Sequence, residues 1–125
     1  MLFDTDVLIW VFRGNAKAAA RVEECADRRL SIVTFMELLQ GARDRREVRL
    51  VKSFLQEFDF RTLPLTETIG HRAVIYMEQH ALRSRLRMAD ALIAATAVEN
   101  TLTLFSGDSK HYRALADLDF VAFRP

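Results

Sequence analysis

The stretch Leu2-Phe3-Asp4-Thr5-Asp6-Val7-Leu8-Ile9-Trp10-Val11-Phe12 begins with an apolar pair, interposes three polar residues and resumes as an apolar run that stops at Arg13. A short apolar pair, a polar turn able to cap and a longer apolar segment predict a strand followed by a helix. The run from Val7 to Phe12 is too short to span a bilayer, and two aspartates stand where a secretory signal has its basic start. A cytoplasmic protein with no membrane segment is the expectation.

The same alternation continues outward from this stretch. Asn15 caps a predicted helix through Cys25, Leu30-Ser31-Ile32-Val33 reads as a second strand, and Thr34 opens another helix that Gly41 permits to break. Val48, Val51, Phe54, Leu55 and Phe58 recur at helical spacing beside Arg43, Arg45, Arg46, Glu47, Arg49 and Lys52, which predicts an amphipathic helix with a solvated basic face. Phe60 to Leu63 before Pro64 forms a third strand, and Thr66 caps a long helix to Ala81. A basic loop with Arg83, Arg85 and Arg87 leads into Met88 to Val98, whose small apolar residues predict a deeply buried helix. Thr101 to Phe105 is a fourth strand, Ser106-Gly107-Asp108 a turn, Lys110 to Leu115 helical, and Phe120 to Phe123 a last strand. Strands alternating with helices predict an α/β protein whose parallel sheet is covered on both faces. Loops after the strand ends then gather along one edge, where sites of open α/β sheets lie.

The 125 residues suit a single domain, 1–125, with no repeat or linker to divide them. At 50% hydrophobic and 28% charged, the chain has enough apolar material for a core, which excludes disorder as its main state. Cys25 stands alone, so neither an internal disulfide nor a thiolate metal site is available. A net charge of +1 gives no bulk attraction to nucleic acid or membrane. Only Lys17, Lys52 and Lys110 among the 18 basic residues are lysine, and the remainder are arginines with forked donors suited to phosphate. Such a bias also arises from codon usage. His71, His80 and His111 have no ligand spacing and read as surface or packing residues.

Asp4 ends the first strand and Asp108 follows the fourth, so both project from one edge of a parallel sheet. Glu37 and Asp90 stand near the starts of the helices at Thr34 and Met88 and face that edge too. Each acid has a structural explanation: Thr34-Phe35-Met36-Glu37 is a capping-box pattern, Asp90 complements a helix dipole, Asp4 or Asp6 caps the first helix, and Asp108 suits a turn. Gathered together, however, these carboxylates repel, and a divalent cation removes the conflict. Oxygen ligands without a cysteine or histidine pair favour hard Mg²⁺ or Mn²⁺ over zinc.

Leu2-Phe3-Asp4-Thr5-Asp6-Val7-Leu8-Ile9 resembles the opening of PIN-domain nucleases, particularly the VapC-type ribonuclease toxins of toxin–antitoxin pairs. Glu37-Leu38-Leu39-Gln40-Gly41-Ala42 resembles their second acidic motif and Ala89-Asp90-Ala91-Leu92-Ile93-Ala94-Ala95-Thr96-Ala97 their third. Ser106-Gly107-Asp108, with Lys110 and Tyr112 behind, is similar to the more variable fourth. The resemblance implies a three-layer PIN-like fold, a mostly parallel central sheet of about five strands flanked by helices. It implies metal-dependent hydrolysis of RNA through an activated water, with Asp4, Glu37, Asp90 and Asp108 holding Mg²⁺ or Mn²⁺, and Asp6 and Ser106 in support. Cleavage without use of the 2′-hydroxyl would leave a 5′-phosphate and a 3′-hydroxyl. Arg85, Arg87 and Lys110 neighbour the acidic motifs and are the candidate RNA contacts. A homodimer and a VapB-like antitoxin, whose tail brings a basic side chain to the carboxylates, are the implied partners.

Two other readings remain open at this point. Asp4-Thr5-Asp6 resembles the paired aspartates of haloacid-dehalogenase-type phosphatases, although Leu8 stands where that family has threonine or valine. In the second, the acids only cap helices in a non-catalytic module that binds RNA or protein.

Overall fold

The structure, a computed structural model, describes residues 1–125. Five short strands, β1 (Leu2–Phe3), β2 (Arg29–Ser31), β3 (Arg61–Leu63), β4 (Leu104–Ser106) and β5 (Phe120–Ala122), form one sheet in the order β3-β2-β1-β4-β5. Every pairing is parallel, with Leu2 opposite Arg29 on one side and Leu104 on the other. The chain therefore moves one way from β1 to β3 and then jumps back across β1 to lay down β4 and β5.

That reversal decides which helices cover which face, because right-handed crossovers running in opposite directions land on opposite sides of the sheet. The first two crossovers carry α1 (Thr5–Phe12), α2 (Ala16–Glu24), α3 (Ile32–Gln40) and α4 (Arg45–Glu57). The later ones carry α5 (Glu67–Ser84), α6 (Met88–Glu99) and the single turn α7 (Ser109–Tyr112). Strand alternation sorts the core in the same way. Leu2 and Leu104 join Ile69, Ala73, Ile93, Ala94 and Tyr112, whereas Phe3 and Phe105 join Val7, Leu8, Ala18, Val22 and Leu55. Phe105 packs edge-to-face on Phe3 at 5.7 Å and on Phe123 at 5.5 Å between ring centroids. Ala91, Ala94, Ala95 and Ala97 are fully buried, so α6 approaches its neighbours as closely as its small side chains promise.

The expected α/β architecture and its five parallel strands are present, and the differences lie at element ends. The second strand stops at Ser31, whose Oγ accepts a hydrogen bond from Val33 N at 3.0 Å and so caps α3. Ile32 and Val33 are β-branched and favour strands locally, but the helix they enter buries Val33 against the core. Thr34 is consequently inside α3, fully buried, and not its cap. The helix capped by Thr66 runs on to Ser84, placing Arg83 in it, and ends on Arg85 in the left-handed region at φ 57°. Thr101, at φ 54°, belongs to the turn before β4. No helix is long and apolar enough to cross a membrane.

Phe105 is fully buried against Phe3, Phe123 and the helices on one face of the sheet, so Phe105→Ala is expected to cost about 3–5 kcal/mol of stability, read as a lower urea midpoint with an unchanged unfolding slope.

Candidate active site

β1 is the strand at which the order of the sheet reverses, and the crevice outside its carboxyl end and that of β4 is where such sheets place their sites. Asp4 leaves β1 at that point. Its backbone N–H donates to Phe105 O at 2.9 Å, its Oδ1 accepts from Thr5 N at 2.8 Å as the cap of α1, and its Oδ2 accepts from Ser106 Oγ at 2.7 Å. Ser106, fully buried at the end of β4, also accepts from Asp108 N at 3.0 Å. Asp6 sits in the first turn of α1, where its Oδ2 accepts from Gly107 N at 2.9 Å. A Cβ at Gly107 would lie 2.7 Å from that oxygen, so the close approach depends on glycine.

Asp90 and Asp108 arrive on helix starts. Asp90, in the first turn of α6, accepts from Arg87 N at 3.3 Å, and the buried Tyr112 hydroxyl lies 3.4 Å from its other oxygen. Asp108 caps α7, accepting from His111 N at 3.3 Å while its second oxygen lies 2.7 Å from His111 Nδ1. Glu37 is reached through Thr5, whose Oγ1 stands 2.6 Å from Glu37 Oε1 and 3.0 Å from Thr34 Oγ1. A hydroxyl has one proton to give, and the charged acceptor at the shorter distance takes it. Glu37 lies in the second turn of α3, not at a helix start, so the capping-box explanation of Thr34 and Glu37 does not hold.

The electrostatics follow from this crowding. Burial pushes Asp4 up to about 7 from the usual carboxylate range, with the charge of Asp6 adding to it and the Ser106 and Thr5 hydrogen bonds opposing it. Burial likewise raises Asp6 against the bonds from Gly107 and Val7, and raises Asp90, to whose shift the charge of Asp108 adds. The Tyr112 hydroxyl, buried and then surrounded by Asp4, Asp90 and Asp108, is held as a neutral donor far above its ordinary range. Buried carboxylates that resist ionisation suit a cation. Asp90, Asp108 and His111 each place one ligand atom within 4.8 Å of the others, an oxygen-rich set with one imidazole that fits a hard or borderline divalent ion.

The structure thus links Asp4, Asp6, Asp90, Ser106 and Asp108 in one pocket at the sheet edge, and ties Glu37 to it through Thr5. Arg85, Arg87 and Lys110 are exposed on the loop before α6 and on α7. Two contributors escaped the sequence reading. His111 was expected to be a surface or packing residue, yet it pairs with Asp108; the i, i+3 spacing on one helical turn carried that signal. Thr5 stood unremarked between two aspartates, and its role depends on α3 packing beside α1, which nothing local announces.

Fold and acidic crevice define an α/β domain with a carboxylate site at its topological switch point. The PIN domain family model matches residues 1–117, and the chain belongs to that family. It is 26% identical over 117 residues to Ribonuclease VapC1 of Methanocaldococcus jannaschii, covering 94% of this chain and 82% of that protein. A toxin–antitoxin complex from Klebsiella pneumoniae contains a chain of the same fold, with a TM-score of 0.81, 26% identity and coverage of 97% and 95%. The VapBC2 structure from Rickettsia felis, bound to a DNA fragment from its promoter, shares the fold at a TM-score of 0.84, with 16% identity and 98% of each chain covered.

Asp4 titrates higher in the folded protein than unfolded, so between about pH 4 and 7 the ion-free folded state binds more protons and loses stability as pH rises. Thermal unfolding with chelator should show this decline, and Asp4→Asn should flatten it. A decline unaltered by Asp4→Asn would place its source elsewhere.

Proposed function

We propose that this chain is a metal-dependent endoribonuclease and the toxin of a VapC-type toxin–antitoxin pair. The observation that carries this reading is the convergence of Asp4, Asp90 and Asp108 from three separated segments on one crevice, with Ser106, Tyr112 and Gly107 arranged around them. In it, Asp4, Glu37, Asp90 and Asp108 hold Mg²⁺ or Mn²⁺, and His111 stands within reach of the same ion. A divalent ion so held supplies activated water and offsets negative charge at a phosphate. Ser106, at the end of β4, holds Asp4 where it leaves β1, Tyr112 donates to Asp90, and Thr5 orients Glu37, so the chain positions each carboxylate before substrate arrives. Arg85, Arg87 and Lys110, exposed without ion-pair partners, are placed to receive RNA phosphates.

The proposal extends to a single PIN domain over 1–125, a homodimer and a VapB-like antitoxin. Its support is the company kept by the similar structures, which are toxin–antitoxin complexes. A groove of about 590 Å³ between α1, α3 and α4 also leads to Glu37, with Ile9, Phe12 and Leu50 exposed along it as an apolar seat. A phosphatase using Asp4 as nucleophile leaves Glu37, Asp90 and their supporting hydroxyls without a task.

Purified protein with total cellular RNA and Mg²⁺ or Mn²⁺ should generate new 5′-phosphate ends. Chelator should abolish them, and Asp90→Asn should reduce them by about 100-fold or more. Cleavage that survives both would remove the hydrolytic reading.

A further inference from the structure

Lys17 and Arg21 stand one turn apart on α2, and Arg124 follows β5 at the edge of the sheet. With Ala20, Ala122 and Phe123 they line a cleft of about 310 Å³. None of the three cations has a carboxylate within 4.0 Å. Arg21 is half-buried, its guanidinium 4.3 Å from the centroid of the fully buried Phe105 ring, so a core residue fixes where that charge sits. Lys17 and Arg124 are exposed.

This cleft shares a wall with the acidic crevice. Phe123 N donates to Ser106 O at 2.8 Å, and Phe123 O lies 3.4 Å from where a Cβ of Gly107 would be. Gly107 N in turn holds Asp6. A strand leaving the carboxylates on the Asp6 side passes the exposed Gly107, against which the Asp6 carboxylate is packed, and then meets a cleft of three unneutralised cations. Like charges gathered without partners are relieved by an anion. The carboxylates themselves repel a polyanion, so a substrate carrying phosphates needs positive charge beside them. RNA offers a phosphate at every nucleotide, so a strand with one phosphate at the acids presents its neighbours on either flank. Arg85 and Arg87, near Asp90, serve one flank.

We infer that Lys17, Arg21 and Arg124 form a subsite for backbone phosphates of single-stranded RNA on the Asp6–Gly107 side of the carboxylates. This rests on the ribonuclease reading above. Arg21 gives the subsite a fixed point, and Lys17 and Arg124 close over the strand from opposite sides of the cleft.

The test is fluorescence anisotropy of a labelled single-stranded RNA with the chain of residues 1–125 carrying Asp90→Asn, in chelator, across a range of KCl. Adding Lys17→Gln and Arg124→Gln together should weaken binding at least tenfold at low salt. It should also flatten the log–log salt slope by about 0.7 for each charge removed. Arg46→Gln with Arg49→Gln, on the exposed face of α4, should leave both nearly unchanged. Arg21→Gln should act in the same direction as the double variant, but Lys17 and Arg124 decide the matter because their exposure spares the fold. Binding and slope equal to the parent's, or an equal loss from the α4 pair, would overturn the subsite. Unchanged RNA affinity with lost binding of polyglutamate would assign the cleft to an acidic protein segment and overturn it too. The two readings separate cleanly. If the chain with native Asp90 cleaves RNA while the double variant binds as the parent does, the nuclease stands and the subsite falls. If the double variant loses RNA and the native chain cleaves none, the reverse holds.

Discussion

Asp4 is a carboxylate buried at the end of a central strand, and the geometry of the site is the answer to the cost of putting it there. A buried carboxylate without hydrogen bonds is costly. Thr5 N and Ser106 Oγ supply two, and the second exists only because β4 lies beside β1 with Phe3 opposite Phe105. The same register brings Gly107 under Asp6 and Asp108 toward Asp90. The jump of the chain back across β1 thus does two things at once: it splits the helices between the faces, and it completes the surroundings of a charge.

Capping and chemistry are not competing explanations for these acids. Asp4 caps α1, Asp90 sits in the first turn of α6 and Asp108 caps α7, each where backbone N–H groups and the helix dipole favour negative charge. Those interactions fix the orientation of the carboxylates, and they bring ligand atoms of Asp90 and Asp108 within 4.8 Å of each other and of His111. Burial then keeps Asp4, Asp6 and Asp90 reluctant to ionise. Asp4 is held by a strand end and a first helical turn, and Asp6 and Asp90 by backbone N–H groups of the adjoining segments at Gly107 and Arg87. Lys17, Arg21 and Arg124 line a cleft beside Phe123 and Gly107, and Arg85 and Arg87 are exposed on the segment that leads into α6 and Asp90.

Much of this was readable from residue order. The apolar pair before Asp4, the capping pattern at Asn15 and Thr66, and the alanine-rich run after Asp90 each carry their structure in a few adjacent residues, since propensity, capping and alternation are local. The acids could be named because strand ends in a parallel α/β sheet share an edge. Ile32 and Val33 misled because β-branching argues for a strand while tertiary burial decided for a helix. Thr5 went unassigned because its partner is chosen by the packing of α3 against α1, whereas His111 pairs with Asp108 within a single turn, a local i, i+3 spacing that its lack of a metal-ligand pattern obscured.

Residue order alone settled the kinds of element, their sequence along the chain and which carboxylates stand at their junctions. Folding settled the distances: that Ser106 reaches Asp4 across 102 residues of chain, that Glu37 hangs from Thr5, and that three cations from α2 and the carboxyl terminus share a cleft beside Gly107. The division has one cause. Hydrogen bonds within a turn or cap are written in neighbouring side chains, whereas contacts between remote segments depend on strand order and crossover direction, which are decided by how both faces of the sheet bury their apolar residues together.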